Sequence, residues 1–374
     1  MSHPTNPKYV VLAGGLTGGP IAPLLGVVDF WQQKDPRVKP VIFDIAPSFG
    51  KSVAAKRNIE FHKIITGKFR RHRTWINLFM PVLLIIGLVQ SLYILKKLRP
   101  KIVLGAGGFV QLPVMYAAWI LRIPRAIHQQ DVLVTLSNRL CAPIANFVST
   151  TFEFSIRDFP QETGLGPKYI KGTKVFWTGN PSMYEQQVKA THKQSEYITK
   201  LNLSNELPVL LVFGGGGGAQ AINDIVIKAL PELTKVVQVV HITGPKKNSA
   251  VQSSNYHSME LSNNMPELYN RADLVLARAG INTLTELAEF AKPSIIVPMP
   301  NSHQELNAEL IFRTKSALVL DQKDLTTEIL IKAIRKIMFD SELQKSYVKN
   351  LQQLFPRNAV KNIVELIEKT LEKS

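Results

Sequence analysis

Cysteine is nearly absent: Cys141 is the single one among 374 residues. That excludes a disulfide framework and any cysteine-based metal cluster, and it fits a reducing compartment. Acidic residues are also scarce, 28 Asp and Glu against 45 Lys and Arg, which leaves a formal charge of +17. A field of that sign calls for a polyanionic partner, either nucleic acid or an anionic membrane surface. Neither an aromatic RNA-binding signature nor a helix-turn-helix pattern stands out, so nucleic acid is not expected. The glycine runs lack a following Gly-Lys-Ser/Thr and the regular dinucleotide spacing, which removes support for P-loop ATP hydrolysis and for NAD binding. No Asp-rich metal motif occurs. The opening Met1–Lys8 is polar and leads directly into a strand, unlike a secretory leader.

What remains is an α/β rhythm. Hydrophobic content of 45% with 20% charge describes a globular protein, and the length suits two domains. Tyr9–Ala13 is a compact apolar strand, followed by Gly14-Gly15-Leu16-Thr17-Gly18-Gly19-Pro20 and a helix over Ile21–Trp31. Strand, glycine loop and helix form an arrangement in which backbone N–H groups approach an anion. Further strands are expected at Val41–Ala46, Phe61–Ile65 and Ile102–Leu104, the last leading through Gly105–Val110 into a helix Pro113–Leu121. Arg125–Ile127 reads as a strand ending in His128-Gln129-Gln130-Asp131, polar residues at the end where open parallel sheets place ligands. Phe147–Thr150 and Val175–Gly179 follow, and the rhythm restarts after Gly179-Asn180-Pro181, which marks a domain boundary near Thr178–Pro181.

One stretch breaks the pattern. Lys68-Phe69-Arg70-Arg71-His72-Arg73 and Trp75 are basic and aromatic, and the nearly apolar Leu78–Leu95 follows, closed by Lys96, Lys97 and Arg99. The run touches the lower length limit of a membrane span. Pro81, Gly87, Gln90 and the surrounding α/β pattern argue instead for a helix partly buried in its domain, with Phe69–Trp75 lying on an anionic bilayer surface. A purely internal helix beside a solvated basic loop is the alternative.

The second half repeats the plan: strand Val209–Phe213, five glycines Gly214–Gly218, helix Ala219–Leu230, strand Val236–Ile242 and helix Met265–Arg271. Five consecutive glycines cost conformational entropy, so a close ligand such as a diphosphate is the natural reason for them. Leu274–Ala277 reads as a buried strand, and Arg278-Ala279-Gly280 leads into a helix whose start offers Asn282, Thr283 and Thr285. Glu286, one turn in, would repel a phosphate, but a carboxylate there suits a pair of sugar hydroxyls. Strand Ser294–Pro298 precedes a polar turn with His303, Gln304 and Asn307. An ordinary βαβ unit with solvated caps would read the same way from this stretch alone. The tail is helical over Leu325–Phe339, Ser341–Leu354 and Asn358–Lys373.

Taken in order, GG-L-TGGP, GAGGFVQLP, IHQQD, TGNP, GGGGGAQAIN, RAGINTLTELA and HQELNA resemble the MurG family over nearly the whole chain. The resemblance implies a GT-B glycosyltransferase fold: two facing Rossmann-like domains with a cleft between them. The expected domains are an acceptor- and membrane-facing one over 8–178, a UDP-sugar-binding one over 179–355, and a last helix, 356–374, packing back on the first. It also implies transfer of GlcNAc from UDP-GlcNAc to a lipid-linked muramyl-pentapeptide (lipid I to lipid II, in peptidoglycan synthesis) on the cytoplasmic membrane face, without cofactor or metal. By motif, Glu286 would hold the ribose hydroxyls. Ile281, Asn282, Thr283, Leu284 and Thr285 would face the diphosphate and sugar; His303 and Gln304 would contact the sugar hydroxyls, supported by Asn307. Leu261 and Ser262 fall where the family's backbone recognises uracil. Gly216 lies in the diphosphate loop, while Thr17, Gly18 and Gly19 face the transfer site.

The departures fall on both the acceptor and the donor side. Family members usually read GGTGGH in the first loop; here Leu16 is inserted and Pro20 stands in place of the histidine. HEQN is His128-Gln129-Gln130-Asp131, so a carboxylate moves. The donor-binding arginine after GNP is replaced near Met183, and GGSQGA is GGGGGA. Asp131 or His128 is the expected general base. Three readings stay open: an inverting transferase of the MurG type, a UDP-sugar-binding or membrane-scaffold protein that has lost the chemistry, and a transferase with another lipid-linked acceptor.

Overall fold

The computed structural model describes residues 6–67, 80–159, 174–189, 196–245, 251 and 253–373. The Phe69–Trp75 segment, where membrane contact is expected, lies outside the described residues. The chain divides into two compact units, Met1–Met183 with Pro356–Ser374, and Tyr184–Phe355.

The first unit is built on β1 (Lys8–Ala13), α1 (Gly18–Lys34), β2 (Val38–Asp44), α2 (Phe49–Arg57), β3 (Glu60–Lys63), α3 (Met80–Leu98), β4 (Ile102–Gly105), α4 (Gln111–Ile120), β5 (Arg125–Gln129), α5 (Leu136–Cys141), β6 (Phe147–Thr150) and β7 (Lys174–Trp177). All seven strands are parallel, in the order β3-β2-β1-β4-β5-β6-β7. Val11, Val103 and Val148 belong to one buried layer, and Val10, Leu12, Ile42 and Leu104 to another. Burial on both faces is why these strands read as continuous apolar runs rather than alternating ones. The break after this unit falls at Met183, a few residues beyond the Thr178–Pro181 turn, because Asn180 and Ser182 are buried in it.

The second unit comprises α6 (Glu196–Lys200), β8 (Val209–Phe213), α7 (Gln220–Leu233), β9 (Gln238–Ile242), β10 (Tyr256–Met259), α8 (Met265–Arg271), β11 (Leu274–Ala277), α9 (Ile281–Glu289), β12 (Ser294–Ile296), α10 (Gln304–Arg313), β13 (Leu318–Val319), α11 (Thr327–Met338) and α12 (Ser341–Leu354). Its six parallel strands run β10-β9-β8-β11-β12-β13. The last helix, α13 (Ala359–Leu371), packs on α1 of the first unit. Ile363, Val364 and Ile367 are buried there, each worth roughly 1.5–3 kcal/mol relative to exposure.

The strand orders position the sites. In each sheet the chain starts centrally, winds outward in one direction, then returns to the other side of the first strand. The order reverses between β1 and β4 in the first unit and between β8 and β11 in the second. At such a switch point the two loops leave on opposite faces of the sheet and open a crevice at the strands' carboxyl ends. All four loops at these positions are the ones whose composition stood out in the sequence.

Candidate functional site

In the second unit, β8 ends in the glycine run and β11 ends in Arg278-Ala279-Gly280 at the head of α9. The glycines are not equivalent. Gly218 sits at φ +69° with the Thr243 carbonyl where a side chain would go, so the fold itself requires it. Gly216 and Gly217 are exposed, and a Cβ on either would meet nothing within 4 Å. Among the described residues no neighbour fills the space a side chain would take at those two positions. Beneath the run, Asn223 donates to the Thr243 carbonyl at 2.9 Å and accepts from His241 Nε2 at 3.0 Å, fixing the base of the loop.

Opposite, α9 begins with no side-chain cap, leaving its first N–H groups to other partners. Glu286 is half-buried, and its Oε2 accepts from the Tyr269 hydroxyl at 2.6 Å. Burial pushes the Glu286 carboxyl up to about 7, against a smaller opposing effect of the Tyr269 hydrogen bond. Tyr269 is fully buried, stacked on Phe290, and its own hydroxyl is raised well above the ordinary phenol range by burial and by the Glu286 charge. One carboxylate oxygen is thus oriented by the fold while the group stands poised near neutrality.

Around Glu286 the expected contacts divide. Asn282 and Thr283 are half-exposed on the first turn of α9. Ile281, Leu284 and Thr285 turn their side chains inward: Ile281 and Leu284 are buried, and the buried Thr285 hydroxyl donates to the Ile281 carbonyl at 2.9 Å. Helical geometry turns those positions inward, so only their backbone is left to a ligand. Asn307 is also buried; its Nδ2 donates to the Ala279 carbonyl at 3.1 Å and ties α10 to the loop before α9. Gln304 accepts from the Met299 N–H at 3.0 Å through Oε1, which aims its amide end, and His303 is exposed just before α10. Arg278, unmarked in the sequence reading, braces this wall by donating to the Val297, Pro298 and Gln322 oxygens at 3.1, 2.8 and 2.6 Å. Ser262 accepts from the Asn264 N–H at 3.0 Å and lies 3.3 Å from the Tyr197 hydroxyl. Met183 belongs to the first unit, packed on its core beside α1, and presents no donor for a phosphate.

In the first unit the two glycine loops lie back to back. A Cβ on Gly15 would fall 3.0 Å from the Gly108 Cα, and Gly108 sits at φ +85°. Thr17 is exposed at the N-cap of α1, with no bond from its side chain to its own helix, and Gly18 and Gly19 are half-buried. Strand β5 runs two residues further than its apolar part, because its polar side chains are satisfied inside the fold. Gln111 accepts from the Gly107 N–H at 2.7 Å and donates to Asn138 at 2.9 Å. Asn138 donates to Gln129 at 2.7 Å, and Gln130 donates to the Ala106 carbonyl at 2.8 Å. This amide chain locks the second glycine loop to the end of β5.

His128 is held within that packing. It is 2% exposed, its Nε2 donates to Asn180 Oδ1 at 3.0 Å, and its Nδ1 lies 2.9 Å from Ser149 Oγ. Burial pushes it down to about 4, so it is neutral and spoken for at physiological pH. A base needs reach to the proton it takes, and His128 is a buried brace. Asp131, half-buried just past β5, is the carboxylate that remains at this edge.

Known proteins share this organisation. Residues 9–150 match the glycosyltransferase family 28 N-terminal domain, and residues 209–365 match its C-terminal domain. The UDP-N-acetylglucosamine–N-acetylmuramyl-(pentapeptide) pyrophosphoryl-undecaprenol N-acetylglucosamine transferase of Clostridium botulinum is 32% identical over 97% of this chain and 99% of its own. The enzyme of the same name from Clostridium kluyveri is 30% identical, again over 97% and 99%. Among solved structures, Acinetobacter baumannii MurG superposes with a TM-score of 0.69 at 24% identity, covering 97% of this chain and all of that one (100%). The calicheamicin glycosyltransferase CalG4 gives a TM-score of 0.70 at 13% identity over 99% of each chain, which speaks to fold alone. Two parallel α/β units, matched end to end by these relatives, make the chain a member of the MurG family of GT-B glycosyltransferases.

Proposed function

We propose that the protein transfers GlcNAc from UDP-GlcNAc to an undecaprenyl-pyrophosphoryl muramyl-pentapeptide, forming the second lipid-linked intermediate of peptidoglycan synthesis. The observation that carries the donor half is the pairing at one sheet edge of an open glycine run with a Tyr269-held carboxylate. The run lets a diphosphate approach backbone N–H groups, and Glu286 takes the ribose diol that a phosphate-binding site would reject. The start of α9 adds N–H groups for the charge that develops on the leaving diphosphate. Gln304 and His303 meet sugar hydroxyls, and the backbone beside Ser262 meets the uracil.

The chemistry is an inverting displacement. The acceptor's C4 oxygen forms a bond to C1 of GlcNAc as the bond from C1 to the phosphate oxygen breaks, UDP departs from the opposite face, and the hydroxyl proton passes to a base. Asp131 fills that role in this chain, with Thr17, Gly18 and Gly19 positioning the acceptor.

The membrane half rests on α3. Among the described residues it is the one helix long and apolar enough to cross a bilayer. Yet Met80, Gly87, Ser91 and Leu95 are buried along one stripe, and Gln90 clamps the Lys63 carbonyl and the Ile65 N–H at 2.6 and 3.0 Å. The opposite stripe, Val82, Ile85, Ile86, Val89 and Tyr93, is 42–73% exposed. Trp119 and Ile120 on α4 and Leu136 and Leu140 on α5 are exposed too, with Lys96, Lys97 and Arg139 exposed on these helices and Arg122 exposed just past α4. An apolar face with a basic margin on a positively charged protein suits the anionic cytoplasmic surface of a membrane, on which the protein sits without crossing.

The test is acceptor-dependent release of UDP from UDP-GlcNAc in detergent with a lipid I analogue, beside Glu286→Ala. Release by the parent and its loss in the variant support the reading. The missing first-loop histidine and the buried His128 favour a second one, a UDP-sugar-binding protein without turnover. Donor binding that Glu286→Ala abolishes, with no release for any lipid-linked acceptor, would establish it.

A further inference from the structure

The first glycine loop carries Leu16 between its glycines, and the structure shows what holds that residue in place. Leu16 adopts φ +78°, a left-handed conformation that a leucine enters only under constraint. Its N–H donates to Asp44 Oδ1 at 3.1 Å, and its carbonyl accepts from the Phe49 N–H at 3.0 Å. Leu16 is therefore stapled on both sides to the segment joining β2 and α2.

Asp44 is the centre of the arrangement. Its side chain is 0% exposed, and Oδ1 also accepts from the Ile45 N–H at 2.8 Å. Burial pushes the Asp44 carboxyl above its ordinary value, with the Leu16 and Ile45 N–H groups, the Ser48 hydroxyl and the Gly50 N–H opposing it in part, and Oδ2 has no hydrogen bond of good geometry. A Cβ on Gly14 or on Gly50 would stand 2.6 Å from Oδ2, so both positions are glycine because the carboxyl occupies the space. No ion pair reaches it among the described residues. A buried, unpaired carboxylate is costly to keep, and the end of β1, the end of β2 and the start of α2 are all shaped to accommodate this one.

We propose that Asp44 is the positioning residue of the acceptor loop: its carboxylate holds Leu16 in the left-handed conformation and thereby fixes where Thr17, Gly18 and Gly19 meet the acceptor. The inference rests on the reading that this loop serves the acceptor. Without the anchor Leu16 would relax from its positive φ, and the exposed Thr17 and the N–H groups that open α1 would lose their register. The donor contacts belong to the other unit and do not depend on it.

Two measurements on the full-length protein test this. The first needs no activity: hydrogen exchange at the Leu16 amide. Asp44→Ala should speed that exchange about tenfold or more, while Asp44→Asn, which keeps an oxygen for the Leu16 N–H, should stay near the parent. The second is steady-state transfer. Asp44→Ala should raise the acceptor KM or lower kcat by about tenfold with the donor KM within about twofold, and Asp44→Asn should restore most of it. Leu16→Gly, at ease with a positive φ, should remove part of the Asp44→Ala defect when the two are combined, which keeps a readout if Asp44→Ala alone folds poorly. Unchanged Leu16 exchange in Asp44→Ala, donor and acceptor parameters falling together with Tm, or no rescue by Asp44→Asn would each overturn the proposal. A parent that transfers nothing would sink the functional reading, while the exchange experiment would still decide the role of Asp44.

Discussion

Removing the Glu286 carboxylate is the most informative perturbation of the donor site. Hydrogen bonds to a charged group contribute about 1.5–3 kcal/mol each. A ribose diol supplies two, so the gross gain is roughly 3–6 kcal/mol. Ionising Glu286 in this site costs something first, since burial raises its carboxyl from 4.5 to about 7; at about 1.4 kcal/mol per unit that is roughly 3 kcal/mol for the full shift. Near pH 7 half the molecules are already ionised, so most of the gross gain is retained. Glu286→Ala should therefore weaken UDP-GlcNAc about 100-fold, or about 2.7 kcal/mol. The same change strips the buried Tyr269 hydroxyl of its acceptor and should cost about 1–3 kcal/mol of stability. Glu286→Gln keeps an acceptor for Tyr269 and separates the two effects, losing about tenfold in affinity with little loss of Tm. The pH dependence has a definite sign. The ionised form binds the diol, so parental affinity for UDP-GlcNAc, whose diphosphate stays ionised throughout, should rise about tenfold from pH 6 to pH 8 and then level off. Glu286→Gln should be flat over that range. Stability of the free protein runs the other way: a carboxyl raised in the folded state contributes stability that is full below about 4.5 and is lost as pH rises through about 7. Calorimetric titration at three pH values checks the set. Equal donor affinity in the parent and Glu286→Ala, or a pH slope that survives in Glu286→Gln, would refute the reasoning.

Three further outcomes follow from the geometry. Gly216→Ala should leave Tm within about 1 °C, because nothing surrounds the added methyl, yet weaken UDP-GlcNAc tenfold or more; Gly218→Ala should instead unfold more easily, because its carbonyl neighbour and positive φ leave no room. Thermal melts beside donor titrations separate the pair. Asp131→Asn should lower kcat by about 10²–10⁴ with donor affinity unchanged, whereas His128→Asn should lower Tm first, since the ring braces Asn180 and Ser149; single-turnover assays and melts distinguish them. Ile85→Asp with Val89→Asp should reduce flotation with anionic vesicles by about tenfold or more while leaving UDP-GlcNAc binding intact. These side chains are each 60% exposed and so unneeded for the core.

How far the sequence reaches depends on which physical signal marks each part. Buried parallel strands bounded by glycine or polar residues are legible to the residue, as Phe147–Thr150, Val209–Phe213 and Leu274–Ala277 show. Strand β10 was not, because at the sheet edge its His257, Ser258 and Met259 are only half-buried and carry no apolar run. Helix α2 escaped for a similar reason: only Gly50, Val53 and Ala54 are buried, so no stripe is written in its sequence. The reading stopped β5 at Ile127 because polar residues normally leave a core; here Asn180, Ser149 and Asn138 satisfy them inside it. The diol role proposed for Glu286 rests on charge and position alone. Its hold on Tyr269, 17 residues earlier, and the grip of Asp44 on Leu16, 28 residues away, are long-range pairings that no local pattern encodes. At Leu284 and Thr285 the motif marks a whole helical turn, whereas the periodicity of the helix buries their side chains.

The measurement closest to the central claim is the structure of the product. The protein, UDP-GlcNAc and a lipid I analogue should yield one new disaccharide on the lipid, with GlcNAc joined to the C4 oxygen of the muramyl residue and its anomeric centre inverted from the donor, read by mass and by the anomeric proton coupling. UDP-GlcNAc that remains intact, or a sugar delivered to another position or with its configuration retained, would contradict the account.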